Sequence, residues 1–206
     1  MQAGAGTPLK NESASGEPDP SSGRSHRPIL LLIVVAAIGY GIDQVTKAWA
    51  ASSLDPLHPR NLVGSILRLH LTRNAGAAFS IATNATWVLT IIATVVIIAT
   101  IVVARRLRSR PWACALGLLI GGALGNLTDR FFRAPGGGRG HVVDFLELPH
   151  WPIFNVADMC VVTAACLIAL LALLGIGVDG TRQPLTTGED EADESDDATD
   201  GDGRHE

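Results

Sequence analysis

Polar and apolar positions are sorted along this chain into long blocks. Ile29 to Ile42 carries no charge, and with Asp43-Gln44-Val45-Thr46-Lys47 in its last turns it predicts a first membrane span from Pro28 to Trp49. Three further apolar runs predict spans over Trp87 to Ala104, Trp112 to about Thr128, and Met159 to Val178. A soluble helix carries a charge every turn or two, whereas here the charges avoid all four runs and collect in connectors and at the chain ends. Between the first two spans, Leu67-Arg68-Leu69-His70-Leu71-Thr72 alternates with period two and predicts a half-exposed strand, either an edge open to pairing with an extended peptide or part of an ordinary hairpin lying on the bilayer, between which alternation does not choose. It delivers Arg73-Asn74-Ala75-Gly76-Ala77-Ala78-Phe79, a small-residue turn that permits close backbone approach. After the third span, Ala134-Pro135-Gly136-Gly137-Gly138-Arg139-Gly140 predicts a flexible loop.

Charge orients the bundle. Arg105-Arg106-Leu107-Arg108-Ser109-Arg110 places four arginines in six residues, and the positive-inside rule makes that connector cytoplasmic. With four spans, both termini are then cytoplasmic and the other two connectors face outward. Residues 1–27, rich in Gly, Ser and Pro, read as a disordered tail, 28–178 as the membrane domain, and 179–206 as a disordered acidic tail. A cleaved leader is not expected, because the first apolar run starts only near Ile29 and no small-x-small site follows it. The net charge of -4 over 206 residues comes from the acidic tail, which holds eleven of the twenty acidic residues, and gives no reason to expect a nucleic-acid partner. Cys114, Cys160 and Cys166 lie inside apolar runs, as small buried hydrophobes rather than a disulfide framework. The six histidines are scattered without metal-ligand spacing, so no metal site is expected.

The candidate chemistry lies between Gly125 and Asp158. Asn126, Asp129 and Arg130 are spaced i, i+3 and i+4, and Asn155 and Asp158 i and i+3, so each set projects from one face of a helix end. Asp144, within Val142-Val143-Asp144-Phe145, enters the same region from the connecting loop. A central Asp costs about 2.5–3.5 kcal/mol to insert, against a return of about 0.3–0.6 kcal/mol per Leu, so such a cluster calls for a function. Two carboxylates held close share one proton; the ionised member can deprotonate water while its partner hydrogen-bonds a carbonyl, which is aspartic peptidase chemistry. Bland roles compete with this: an Asp129-Arg130 helix-end ion pair, Asn155 as an N-cap, and, for Asp43 and Lys47, a helix-end acid beside a snorkelling lysine, which spacing slightly favours over a buried pair. Spacing does not choose the dyad from Asp129, Asp144 and Asp158. Two other classes remain, a proton-relay transporter and a noncatalytic scaffold that binds membrane peptides; the apolar second span speaks against a complete transmembrane path.

Five motifs, in order, carry a resemblance: Asp43-x-x-Thr46-Lys47, Asn74-x-Gly76-Ala77-Ala78-Phe79, Gly125-Asn126-x-x-Asp129-Arg130, Val142-Val143-Asp144-Phe145 and Phe154-Asn155-x-Ala157-Asp158. Together they resemble the motif set of the bacterial lipoprotein signal peptidases, the type II signal peptidases, across roughly residues 28 to 178. The resemblance implies an all-α inner-membrane protein of four transmembrane helices with a small β-cradle on the outer face. It implies an aspartic endopeptidase that cuts prolipoproteins before a diacylglyceryl-modified cysteine, without metal or organic cofactor. By motif, Asp144 and Asp158 correspond to the catalytic pair, and Asn74, Asn126, Arg130 and Asn155 to polar positions lining the substrate site. Asp43, Lys47, Asp129 and Gly76 correspond to supporting positions. Prolipoprotein and membrane lipid are the expected partners, and the chain is expected to act as a monomer in the cytoplasmic membrane with its active site outward. The Arg133 to Gly140 loop is longer and richer in glycine than the family minimum, which makes a loosely held Asp144 the expectation.

Overall fold

The computed structural model describes residues 26–76 and 86–182. Expectations for residues 1–25, for Ala77, Ala78 and Phe79, and for the acidic tail beyond 182 lie outside the described residues. Among the described residues four helices are long and apolar enough to cross a membrane: α1 (Arg27–Ser53), α2 (Thr86–Ala104), α3 (Arg110–Phe132) and α4 (Val156–Leu173). The strands β1 (Arg60–Val63), β2 (Leu67–Asn74) and β3 (Val142–Glu147) form one antiparallel sheet in the order β1-β2-β3. The fold is thus the expected helical membrane bundle carrying a small sheet.

α3 is the centre of the bundle, packing against each of the other helices, and its glycines are the reason. A Cβ at Gly117 would lie 2.8 Å from the Leu32 carbonyl oxygen, and one at Gly121 2.7 Å from that of Ala36, so this Gly-x-x-x-Gly presses backbone against α1. Gly122, on another face, meets Ala157 and Val161 of α4 in the same way. At the end away from the sheet, Leu32, Ala36, Leu107, Ala113, Leu116 and Ile120 form an apolar core. A second core of Ala50, Leu54, Leu71, Val143 and Phe145 seats the sheet on the end of α1, and Trp49 meets Phe145 edge-on at 6.4 Å.

Several boundaries differ from the sequence reading. α3 continues to Phe132 through Asn126, Asp129 and Arg130, because neighbouring elements supply partners for those side chains. α4 starts at Val156 and stops at Leu173, five residues before Val178; Gly175, at φ 64°, takes the left-handed conformation that ends a helix. The following turn folds back on the start of α3: Arg108 and Ser109 N–H donate to the Val178 carbonyl and Trp112 Nε1 to that of Ile176. Cys160 is buried, but Cys166 is exposed on the outer surface of α4, contrary to expectation, and all three cysteines are free thiols.

β2 is the middle strand rather than a free edge. Leu67 to Leu69 pair with β1, and β3 runs along the other side from Arg68 to Asn74, so strand addition along Leu67 to Leu69 is blocked. β3 is itself a strand where the sequence reading had a loop, because its continuous Val-Val-Asp-Phe run has no alternation to display it. The glycine loop is not loose either. Gly137 N–H donates to Phe131 O, Gly140 N–H to Arg130 O and His141 N–H to Ala134 O, so the loop folds onto the carbonyl end of α3.

The glycine contacts generate a stability prediction. Gly121→Ala places a methyl group against the α1 backbone and is expected to cost about 1–3 kcal/mol, whereas Gly41→Ala, where a Cβ meets nothing within 4 Å, is expected to cost none. Thermal unfolding in detergent measures both; equal shifts would refute the close α1–α3 contact.

Candidate active site

The polar residues at the sheet end form one connected network, built around a lysine. Lys47 and Asp43 are both 0% exposed, and the ammonium lies 2.9 Å from Asp43 Oδ2 and 3.1 Å from Asp129 Oδ2. The bland reading of a snorkelling lysine is therefore wrong: the ammonium faces inward, because two carboxylates and an amide oxygen meet it there. Lys47 Nζ also donates to Asn126 Oδ1 at 2.9 Å. Asp43 in turn accepts from the Ala157 N–H at 2.8 Å and from Gln44 Nε2 at 3.0 Å. One ammonium thus links α1 to α3 directly, and to the first turn of α4 through Asp43.

Asp129 does not pair with Arg130. Its Oδ1 accepts from Arg133 Nε at 2.5 Å, one turn further along α3, and its Oδ2 accepts from the Val143 N–H at 3.1 Å. Asp129 therefore fixes the start of β3, next to Asp144. The i, i+4 spacing of Asp129 and Arg133 was legible in the sequence, although Arg133 was assigned only to the loop.

Asn155 joins the two remaining aspartates. Phe154 bonds with Leu146 in both directions and so lays Asn155 alongside β3. The Asn155 side chain donates through Nδ2 to Asp144 Oδ1 at 2.6 Å and to Asn126 Oδ1 at 3.2 Å. It also caps α4, accepting from the Asp158 N–H at 3.0 Å while the Asn155 N–H donates to Asp158 Oδ2 at 3.2 Å. The N-cap role and the site role coexist in one side chain. Asn126 completes the ring: with its Oδ1 occupied by Lys47 and Asn155, its Nδ2 donates to Asp158 Oδ1 at 2.8 Å.

Asn74, at the end of β2, donates to Asp144 Oδ2 at 2.9 Å, and its own Oδ1 accepts from the Gly76 N–H at 2.7 Å. Gly76 has φ 112°, a conformation that favours glycine, so its part in the site is to orient Asn74. Arg130 lies within electrostatic reach of Asp144, Asp129 and Asp158, yet its buried Nη1 has no hydrogen-bond partner among the described residues. Asp144 is 2% exposed, and its burial pushes its carboxyl up to about 6; the Asn74 and Asn155 donors oppose that rise and the nearby Asp158 adds to it. Asp158 lies in the first turn of α4. The structure thus gathers Asp43, Lys47, Asn74, Asn126, Asp129, Asp144, Asn155 and Asp158 into one bonded set, with Gly76 and Arg130 beside it. Among the described residues no His, Cys, Asp and Glu group has the arrangement of a metal site.

A family model described as Signal peptidase (SPase) II matches residues 35–174. A protein of Rhodococcus jostii named lipoprotein signal peptidase is 49% identical over 171 residues, covering 83% of this chain and 85% of its own. One of the same name from Mycobacterium tuberculosis is 47% identical over 177 residues, covering 85% and 88%. Among solved structures, a bacterial membrane enzyme determined at 1.9 Å resolution is 28% identical, with a TM-score of 0.60 over 73% of this chain and 94% of its own.

The network predicts an asymmetry in stability. Lys47→Met leaves the buried Asp43 without a cation and Asp129 with Arg133 alone, and is expected to cost about 3–5 kcal/mol, whereas Arg133→Met removes a partly exposed partner and is expected to cost about 1 kcal/mol or less. Thermal unfolding of both variants decides, and a Lys47→Met protein as stable as the wild type would contradict the buried pairing.

Proposed function

The chain belongs to the signal peptidase II family, and we propose that it is an aspartic endopeptidase that removes the signal peptide of prolipoproteins, cutting before a diacylglyceryl-modified cysteine with Asp144 and Asp158 as its catalytic pair. The observation that carries this reading is Asn155, which bonds Asp144 through its side chain and Asp158 through the α4 capping box. The two carboxylates sit in unlike surroundings. Asp144, buried on β3, is the one that keeps a proton; Asp158, in the first turn of α4, accepts from Asn126 and is given the part of the base.

In the proposed reaction, Asp158 takes a proton from water as the water oxygen bonds to the scissile carbonyl carbon, while Asp144 gives its proton to the carbonyl oxygen. Collapse of the resulting diol returns a proton to Asp144, breaks the C–N bond, and passes the proton on Asp158 to the leaving amine. Asn74, Asn126, Arg130 and Asn155 line the substrate site in this reading, and the free Arg130 N–H is a donor available to a peptide carbonyl. Asp43, Lys47, Asp129 and Gly76 hold the frame. α2 packs mainly against α3, which supports lateral access for a lipid-anchored substrate between α2 and α4. In this reading the chain acts as a monomer. The arginines of residues 105–110 lie at the end of the bundle opposite the aspartates, which supports a cytoplasmic-membrane protein with cytoplasmic termini and an outward active site.

Two outcomes test the reading. Purified protein should cleave a diacylglyceryl-modified prolipoprotein but not the unlipidated one, and Asp144→Asn or Asp158→Asn should each reduce cleavage by about 10³-fold or more; cleavage surviving both substitutions would show the pair to be misassigned. The pH dependence follows from Asp144. Its proton is present at low pH and lost as pH rises, and surrounding lipid adds to the desolvation that holds it, so kcat/KM should fall on the alkaline side through a midpoint at or above about 6. An activity that rises through that range instead would reverse the proton assignment.

A further inference from the structure

α2 carries no ionisable residue, yet its first turns bond to the segments that flank the site. Threonines in membrane helices ordinarily return their hydroxyl hydrogen to a carbonyl of their own helix, and Thr94 and Thr100 do so, bonding Thr90 O and Val96 O. Thr86 sends its hydrogen to another segment, and Thr90, 3.4 Å from Thr86 O, makes its shorter bond outside the helix as well. Thr86 Oγ1 donates to the Ala75 carbonyl at 2.6 Å, and Thr90 Oγ1, buried, donates to the Gly138 carbonyl at 2.6 Å. Ala75 directly follows Asn74; Gly138 lies on the glycine loop that feeds β3. Asn74 and Val142 are the last paired residues of the β2–β3 ladder, so the two acceptors sit on the two chain segments where that ladder opens. Between the threonines, Leu89 lies so close to Gly76 that a Cβ there would come within 3.0 Å of it.

We propose that Thr86 and Thr90 are positioning residues for the peptidase reaction, clamping the segments on either side of the Asn74–Asp144 hydrogen bond so that Asp144 stays in register with Asp158. The inference rests on the peptidase reading. Each threonine spans a gap that no strand pairing among the described residues closes: Ala75 lies past the last ladder pair, and the glycine loop is otherwise held, among the described residues, by bonds to the end of α3 and within itself. Val at either position keeps the β-branched shape and removes the donor, while Ser keeps the donor.

The test is steady-state cleavage of a diacylglyceryl-modified prolipoprotein by wild type, Thr90→Val, Thr86→Val, Thr90→Ser and Thr100→Val, with rates referred to the folded fraction. Thr90→Val is expected to lower kcat about tenfold with KM within about twofold, Thr86→Val to lower it in the same sense, Thr90→Ser to restore it, and Thr100→Val to match wild type. A wild-type kcat in Thr90→Val overturns the clamp, as does an equal loss in Thr100→Val or a failure of Thr90→Ser to recover. If Thr90→Val does not fold, the partly exposed Thr86→Val carries the same comparison. Loss of cleavage on Asp144→Asn, together with normal Thr90→Val, overturns the clamp alone; persistence of cleavage in Asp144→Asn overturns the peptidase reading beneath it.

Discussion

The rest of this structure depends on the burial of one ammonium. Lys47 is withdrawn from both water and lipid, a placement tolerable only because Asp43, Asp129 and Asn126 all meet it. Those partners belong to α1 and α3, and Asp43 extends the same bonding to the backbone of α4. The helices are therefore locked together at the level where the membrane ends and the sheet begins. Glycines make this geometry reachable: at Gly125 a Cβ would collide with the Asp43 carboxylate, so the acid can sit between α1, α3 and α4 only because no side chain competes for the space.

From that lock, hydrogen-bond direction propagates outward. Lys47 donates to Asn126 Oδ1, which leaves the Asn126 amide hydrogens for Asp158; Asn155 then uses its own amide on Asp144 and its backbone on Asp158. Each amide has one end committed, so the other has no choice of partner. The result is two carboxylates that share a bridging residue yet differ in burial and in the dipoles around them, the kind of difference that separates an acid from a base in a single site.

The second carboxylate is delivered by a strand that would be an isolated segment without help from all sides. Asp129 holds the Val143 N–H, Phe154 pairs with Leu146, and β2 supplies the ladder from Asn74 to Arg68. The glycine loop leading to β3 is kept short in space, though long in sequence, by folding back onto the exposed carbonyls of α3. Those carbonyls would otherwise lack partners, so the loop satisfies the helix end and fixes Asp144 in one arrangement.

Much of this protein was determined by its sequence alone. Four apolar runs specify four spans because hydrocarbon excludes charge over about 20 residues, and the clustering of Asn126, Asp129, Arg130, Asn155 and Asp158 marks the chemical end because periodicity alone puts them on helix faces. Tertiary structure decided what short-range spacing could not. Whether Lys47 snorkels or is buried, whether Asp129 pairs with Arg130 or with Lys47 and Arg133, and whether Val142 to Glu147 is loop or strand all turn on partners far away in the chain. The same holds for the middle position of β2, since a strand's period shows which residues alternate but not which of its edges is occupied. A side chain's direction is local, whereas its hydrogen-bond partner is a property of the assembled bundle.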